Sequence, residues 1–200
     1  MNLGSIRSHF KAVLNRSDTT DALADTFIEQ GIARVQRSLR IPSMEKQFNY
    51  TITSQTGAVL LPDDFLEGID LFYDNHALTR IPMNEFQDRK RTGEVGQPHF
   101  FTREQGAYLI TPEPSSGTVT INYYANFVAM TADTDENILA QVASDLIIYS
   151  ALTYAADFYL DERAQTFEAR YIQFMTELQE QANDSEMAGS LQSIRPTYTY

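Results

Sequence analysis

The spacing of apolar residues changes period twice along this chain, and that double switch restricts its possible folds more than any other feature. Up to about residue 47 the apolar side chains recur at helical spacing. From Phe48 to Tyr124 they alternate in short runs, and from about Asp133 the helical spacing returns. Such a chain has to build a helical layer from both of its ends around a strand-rich insertion. The expected class is α+β: a helical bundle built from both chain ends, an inserted antiparallel β-rich module and a flexible C-terminal tail. The expected boundaries are 1–47 and 133–184 for the helical body, 48–132 for the module and 185–200 for the tail.

In the first arm, Ile6, Phe10, Val13 and Leu14 form the stripe of a helix that ends near Asn15. Its cations, Arg7 and Lys11, lie among those apolar residues, so it reads as an amphipathic helix and not as a signal peptide. Ser17 to Thr20 supply N-cap residues for a second helix, with Leu23, Phe27, Ile28, Ile32, Val35 and Leu39 on its stripe and Pro42 as its stop. Gly31 interrupts that stripe at a cost of about 1 kcal/mol relative to alanine. Close approach of another helix is the usual reason. In the second arm, Asp133 and Glu136 bracket the start of a third helix as a capping-box-like pair. Leu146–Ala156 is apolar nearly all round, which implies burial on more than one side. Leu160-Asp161-Glu162 leaves room only for an antiparallel reversal, after which Ala164, Phe167, Tyr171, Phe174 and Leu178 mark a fourth helix. The pattern stops beyond Asn183.

Within the module, Phe48, Tyr50 and Ile52 alternate with polar residues, and Gln55-Thr56-Gly57 reads as a turn closing a hairpin with Ala58–Leu61. Gly68–Tyr73 is the next strand, with a return through Ala77–Ile81. Pro82 opens a short helix over Met83–Arg91. Phe100–Thr102 and Tyr108–Ile110 pair around Glu104-Gln105-Gly106, and Ser115-Ser116-Gly117 turns into the strand Val119–Tyr124. Two proline corners, at Pro62 and at Pro112 and Pro114, pin the run.

The chain has 200 residues and no cysteine, which excludes disulfides, thiolate metal sites and thiol nucleophiles. No apolar run approaches the roughly 20 residues that cross a bilayer. The net charge of −12 is unevenly spread. Residues 1–91 hold 11 Lys/Arg against 12 Asp/Glu, whereas residues 133–187 hold only Arg163 and Arg170 against 12 acidic residues, a net of −10. That balance argues against nucleic-acid binding, which needs cations to displace counterions from phosphates. The acidic segment reads either as a solvated face or as a wall that repels phosphates.

Residues that carry chemistry are sparse. His9, His76 and His99 have no helical metal spacing, and no phosphate-loop or dinucleotide motif occurs. Arg89-Lys90-Arg91 complements the end of the short helix. Asp63, Asp64, Glu67 and Asp70 cluster at the first proline corner, where paired carboxylates would suit glycoside hydrolysis if their separation were right. Aspartate after proline also stabilises turns through its own backbone. The C-terminal Leu191–Tyr200 is too poor in apolar residues to fold alone. In an extended strand Tyr198 and Tyr200 would share one face for strand addition to a partner.

The order of a helical hairpin, Leu60-Leu61-Pro62-Asp63-Asp64-Phe65, Gly96-Gln97-Pro98-His99-Phe100, Ile110-Thr111-Pro112-Glu113-Pro114, Ile121-Asn122-Tyr123-Tyr124-Ala125 and Asp145–Leu152 resembles the head-to-tail adaptor (connector) proteins of tailed bacteriophages. It is similar, more distantly, to the tail tubular adaptors of short-tailed phages. The resemblance covers residues 17–182 and implies a structural virion protein made in the host cytoplasm and placed at the head–tail junction. It implies a homo-oligomeric ring, commonly dodecameric, docked under a portal protein and followed by a tail or nozzle protein. DNA would pass through without specific binding, with no enzyme activity, cofactor, metal or membrane involved. On this reading Leu191, Ile194, Pro196, Tyr198 and Tyr200 contact the portal. Leu146, Tyr149, Tyr154 and Phe158 lie between subunits, and Glu168, Glu177 and Glu180 face the lumen. The competing expectations are a wall-degrading hydrolase using Asp63, Asp64 and Glu67, and a monomeric binding module.

Overall fold

The computed structural model describes residues 1–93 and 95–187. In chain order its elements are α1 (Leu3–Leu14), α2 (Asp21–Ser38), β1 (Glu45–Ile52), β2 (Ala58–Leu60), β3 (Phe65–Tyr73), β4 (His76–Ala77), β5 (Thr79–Arg80), α3 (Met83–Lys90), β6 (Phe100–Glu104), β7 (Ala107–Thr111), β8 (Gly117–Ala125), α4 (Ile138–Val142), α5 (Ser144–Tyr159) and α6 (Ala164–Met187). The fold is α+β. Among the described residues, helices from both chain ends form one compact unit, residues 1–43 with 127–187, and Met44–Asn126 form a second.

In the helical unit α5 is the centre. Leu146, Ile147, Ile148, Ala151, Leu152, Ala155 and Ala156 are all buried on it, against α1, α2 and α6. Its nearly all-round apolar character is therefore satisfied within the chain, without any neighbour. Gly31 explains how α2 comes so near, because a Cβ there would lie 2.8 Å from the backbone nitrogen of Ala151. The Ser150 hydroxyl uses that proximity to donate to the Gly31 carbonyl at 3.1 Å, which satisfies a fully buried polar group. Thr20 caps α2 by accepting from the Leu23 amide, and Asn15 ends α1 in the left-handed conformation that asparagine tolerates.

Two expectations for the second arm fail. The third helix is broken into α4 and α5 at Ala143, and its N-cap is Asn137, which accepts from the Ala140 amide at 2.8 Å. Asp133 instead serves α1. Its carbonyl and that of Asp135 accept from the Gly4 and Leu3 amides, two donors that α1 cannot satisfy itself. Its carboxylate accepts from Arg7, which also holds Asp25 of α2 through two bonds of 2.6 and 2.9 Å. The fourth helix continues past Asn183 to Met187.

The second unit contains two four-stranded sheets, ordered β1-β8-β3-β4 and β2-β7-β6-β5. Among the described residues all pairings between these strands are antiparallel except the short β5–β6 pair. No β1–β2 hairpin forms. β1 pairs with β8 along its whole length, and β2 pairs with β7 in the other sheet, so Gln55–Gly57 carries the chain between sheets. The expected β6–β7 hairpin is present. On β8, Val119, Ile121, Tyr123 and Ala125 are buried while the residues between them are not, the period expected of a strand with one face on a core. That core combines Leu71 and Ile121 of one sheet with Val59 and Ile110 of the other. Gly68 is an opening for an aromatic ring, since a Cβ there would lie 2.0 Å from the Tyr108 hydroxyl.

Candidate assembly surfaces

At the end of α5 the chain reverses through Leu160, whose φ of 53° and ψ of 44° place it in the left-handed region. Glycine or asparagine is the usual residue at such a helix end, and a leucine there costs roughly 1 kcal/mol. Backbone bonds offset that cost, the Leu160 and Asp161 amides donating to the carbonyls of Asp157 and Ala156 at 3.3 and 2.9 Å, while the leucine side chain itself is 89% exposed. Phe158, beside it, is 62% exposed and meets Phe27 and Tyr159 edge-on at 5.6 and 4.9 Å. The neighbouring groups are held firmly. The Tyr159 hydroxyl lies 2.9 Å from that of Thr19, and Arg16 covers the Tyr159 ring at 4.1 Å. Arg163 donates to the carbonyls of Val13 and Leu14 and to Asp161, whose carboxyl it holds down to about 2.

Near the start of α5, Ile41, Pro42, Val142, Leu178 and Ala182 line an apolar groove of about 210 Å³. A second cleft of about 160 Å³ adjoins it and shares Val142, Leu178 and Gln181, with Asp145 and Glu177 on its walls. Val142 is half exposed where the two meet. Both volumes fall below the roughly 300–1,000 Å³ of small-molecule pockets. A polar cleft of about 430 Å³ in the β unit is large enough, but Tyr73, Asp74 and Ser116 on its wall are engaged in structural bonds. Tyr73 donates to the Ser116 carbonyl, and Asp74 accepts from the Thr118 amide.

The residues expected between subunits fall in different environments. Leu146 is fully buried in its own unit and has no surface to offer a neighbour, which removes it as an interface residue. Tyr149 is half-buried and packs edge-on against Phe167 and Phe174 of α6. Tyr154 is half-buried and accepts from Arg37, so of the four only Phe158 is exposed. Of the lumen candidates, Glu168 is half-exposed and tied to α2. Arg34 holds it at 2.6 and 2.9 Å, depresses its pKa and stacks over Tyr171 at 3.9 Å. Glu177 accepts from Gln173, and Glu180 is exposed on α6. Leu191, Ile194, Pro196, Tyr198 and Tyr200 lie outside the described residues.

The carboxylate corner is a structural tie. Asp64 accepts from Lys46 at 2.7 Å and from the Tyr123 hydroxyl at 2.8 Å, and both bonds depress its pKa. A general acid needs the opposite shift. Burial, aided by Asp64, pushes Tyr123 up to about 12. Asp63, Glu67 and Asp70 are exposed. Among the described residues no group of three or more His, Asp or Glu side chains could hold a metal ion, and no helix is long and apolar enough to cross a membrane. That Leu160 and Val142 are left uncovered was missed in the sequence, where a leucine at a helix-ending position that glycine usually takes was the available signal.

A family model described as SU10 adaptor protein matches residues 1–195 of the chain. No curated protein matches it.

Proposed function

The chain belongs to the SU10 adaptor protein family, a phage structural family, and on that premise we propose that its copies form a ring between a portal protein and the tail, through which DNA passes. The observation that carries this reading is the reach of the match, which takes in both arms of the helical unit and the whole β insertion. A closed ring of identical subunits needs two unlike, complementary surfaces on each chain. A net charge of −12, with 12 acidic residues against two cations over residues 133–187, suits a channel that does not hold passing phosphates. Glu177 and Glu180 are the lumen candidates this reading retains, since Glu168 is already neutralised by Arg34. The C-terminal Leu191–Tyr200 supplies the portal contact by strand addition, its tyrosines giving the specificity.

Light scattering on the purified protein, alone and with a portal ring, tests this reading. The expected result is a stable co-complex of two rings. Deleting residues 189–200 is expected to leave the melting temperature unchanged and to abolish the co-complex. A truncated protein that still binds the portal fully would remove the tail's assigned role. A full chain that never associates with the portal would remove the adaptor reading.

A further inference from the structure

We propose that Arg80, Arg103 and the Tyr108 hydroxyl form a carboxylate-binding site on the β unit. Its occupant is an acidic side chain from residues 133–187 of a second copy of this chain, a contact that rests on the ring reading. Strand pairing brings the three groups together. Arg103 stands directly opposite Tyr108 across β6 and β7, and Arg80 stands opposite Phe101 across β5 and β6. Opposite residues share a face of the sheet, as do residues two apart on a strand, so Arg80, Phe101, Arg103 and Tyr108 lie on one side. Tyr108 is only 7% exposed, and edge-on contacts with Phe65 and Phe101 at 5.9 and 5.1 Å fix its ring. Its hydroxyl comes over Gly68 at a cleft of about 200 Å³ that Asp70 and Arg80 also line. There it makes no hydrogen bond among the described residues, although a buried hydroxyl normally has a partner.

The distribution of ion pairs singles out the same place. The β unit has six Lys/Arg side chains, and Lys46, Arg89, Lys90 and Arg91 are paired with Asp64, Glu85, Glu113 and Asp88. Arg80 and Arg103 make no ion pair among the described residues, and Arg103 rests over the Phe65 ring at 5.8 Å. Burial raises the pKa of Tyr108 while Arg103 and Arg80 oppose the rise, so both cations reach the hydroxyl electrostatically and it stays protonated as a donor. Three donating groups with two positive charges call for an anionic acceptor. The cleft holds a side-chain head group and not a larger ligand. Asp70 on its wall and Glu67 near the hydroxyl disfavour a doubly charged phosphate more than a single carboxylate, and two cations are few for a nucleic-acid backbone. Residues 133–187 carry a net charge of −10. Of their carboxylates, Asp157, Glu162 and Asp184 are exposed and make no ion pair or side-chain hydrogen bond among the described residues. Unpaired cations on one surface and surplus carboxylates on another are the complementarity that a contact between unlike faces of identical chains needs.

The test uses full-length Arg80→Lys, with isotope-labelled and unlabelled protein mixed and treated with a carbodiimide, which joins an amine to a carboxylate in contact with it. Mass spectrometry is expected to find position 80 joined to an acidic residue of 133–187 in peptide pairs of mixed label, a product that wild-type protein does not give. In sedimentation velocity, Arg80→Gln and Tyr108→Phe should each weaken association about tenfold, the loss of one hydrogen bond to a charged group. Their melting curves should match wild type, because neither group holds the fold together; a lowered melting temperature for Tyr108→Phe would assign the hydroxyl to the fold instead. Joining to Asp70 or Glu67, or to 133–187 only within one chain, would show that the site closes on its own subunit and overturn the proposal. Joining only to an added portal would overturn the second copy as occupant. Assembled protein with no joined product, or variants that associate as wild type does, would overturn this contact and leave the ring standing. Wild-type protein monomeric at every concentration, even with portal present, would remove the ring and this contact together.

Discussion

The helical unit and the β unit bury their interiors by different means, and the difference determines where each one is fragile. The helical unit concentrates its burial in one helix, α5, and lets α2 approach it backbone to backbone at Gly31. The β unit spreads its core over two sheets and uses tyrosines as posts. Tyr108 stands over Gly68, Tyr73 reaches Ser116, and Tyr123 reaches Asp64. Backbone cannot yield to an added carbon, whereas a flexible side chain can shift at modest cost. One unit should therefore fail by overpacking at a single point, and the other by loss of polar ties.

The largest effect is expected for Gly31→Val. Its Cβ would lie within 2.8 Å of backbone that has nowhere to move, and the Ser150 bond to the Gly31 carbonyl would be lost. Overpacking of this kind costs about 3 kcal/mol, a fall of roughly 10 °C in melting temperature for a chain of this size. Hydrogen exchange should show lost protection in α2 and α5 with β8 unchanged. Equal loss in β8 would break the comparison.

In the β unit, Tyr123→Phe removes the hydroxyl that donates to Asp64. The expected cost is about 1–1.5 kcal/mol, read from urea denaturation at neutral pH. The same pair predicts two pH windows. Tyr123 is raised in the folded state to about 12, so its contribution is complete below pH ~10, the ordinary tyrosine value, and is lost as pH rises from there towards about 12. Asp64 is depressed, so its contribution is present above the ordinary aspartate value of about 4 and is lost as pH falls below it. In Tyr123→Phe the alkaline loss should shrink. An unchanged alkaline limb would show that another group governs it.

Glu168→Gln should cost about 0.5–1 kcal/mol by thermal melting, because its pair with Arg34 is partly open to water. The smallest effect has the opposite sign. Leu160→Asn relieves the left-handed backbone and should raise the melting temperature by one or two degrees, since a fraction of a kcal/mol is at stake. A clear fall would mean that the leucine supports its own unit after all.

The helical unit was more legible in the sequence than the β unit, for a physical reason. Helical packing follows from residues three and four apart, so the stripes of α1, α2, α5 and α6 and the close approach at Gly31 could be read directly. Strand pairing depends on distant partners. β1 could not be assigned to β8, about 70 residues away, by its alternation, and the local turn signal at Gly57 suggested a hairpin that does not form. At the candidate surfaces the sequence showed which residues were apolar but not which were left uncovered. Leu146 and Phe158 looked alike there, yet one is fully buried and the other is 62% exposed.

Closure of this adaptor chain into a ring is visible by negative-stain electron microscopy of the purified protein, imaged alone and after mixing with a portal. End-on views should show closed rings with an open central channel, stacked coaxially on the portal in the mixture. Isolated monomers in both samples, or open filaments with no closed species, would contradict the account.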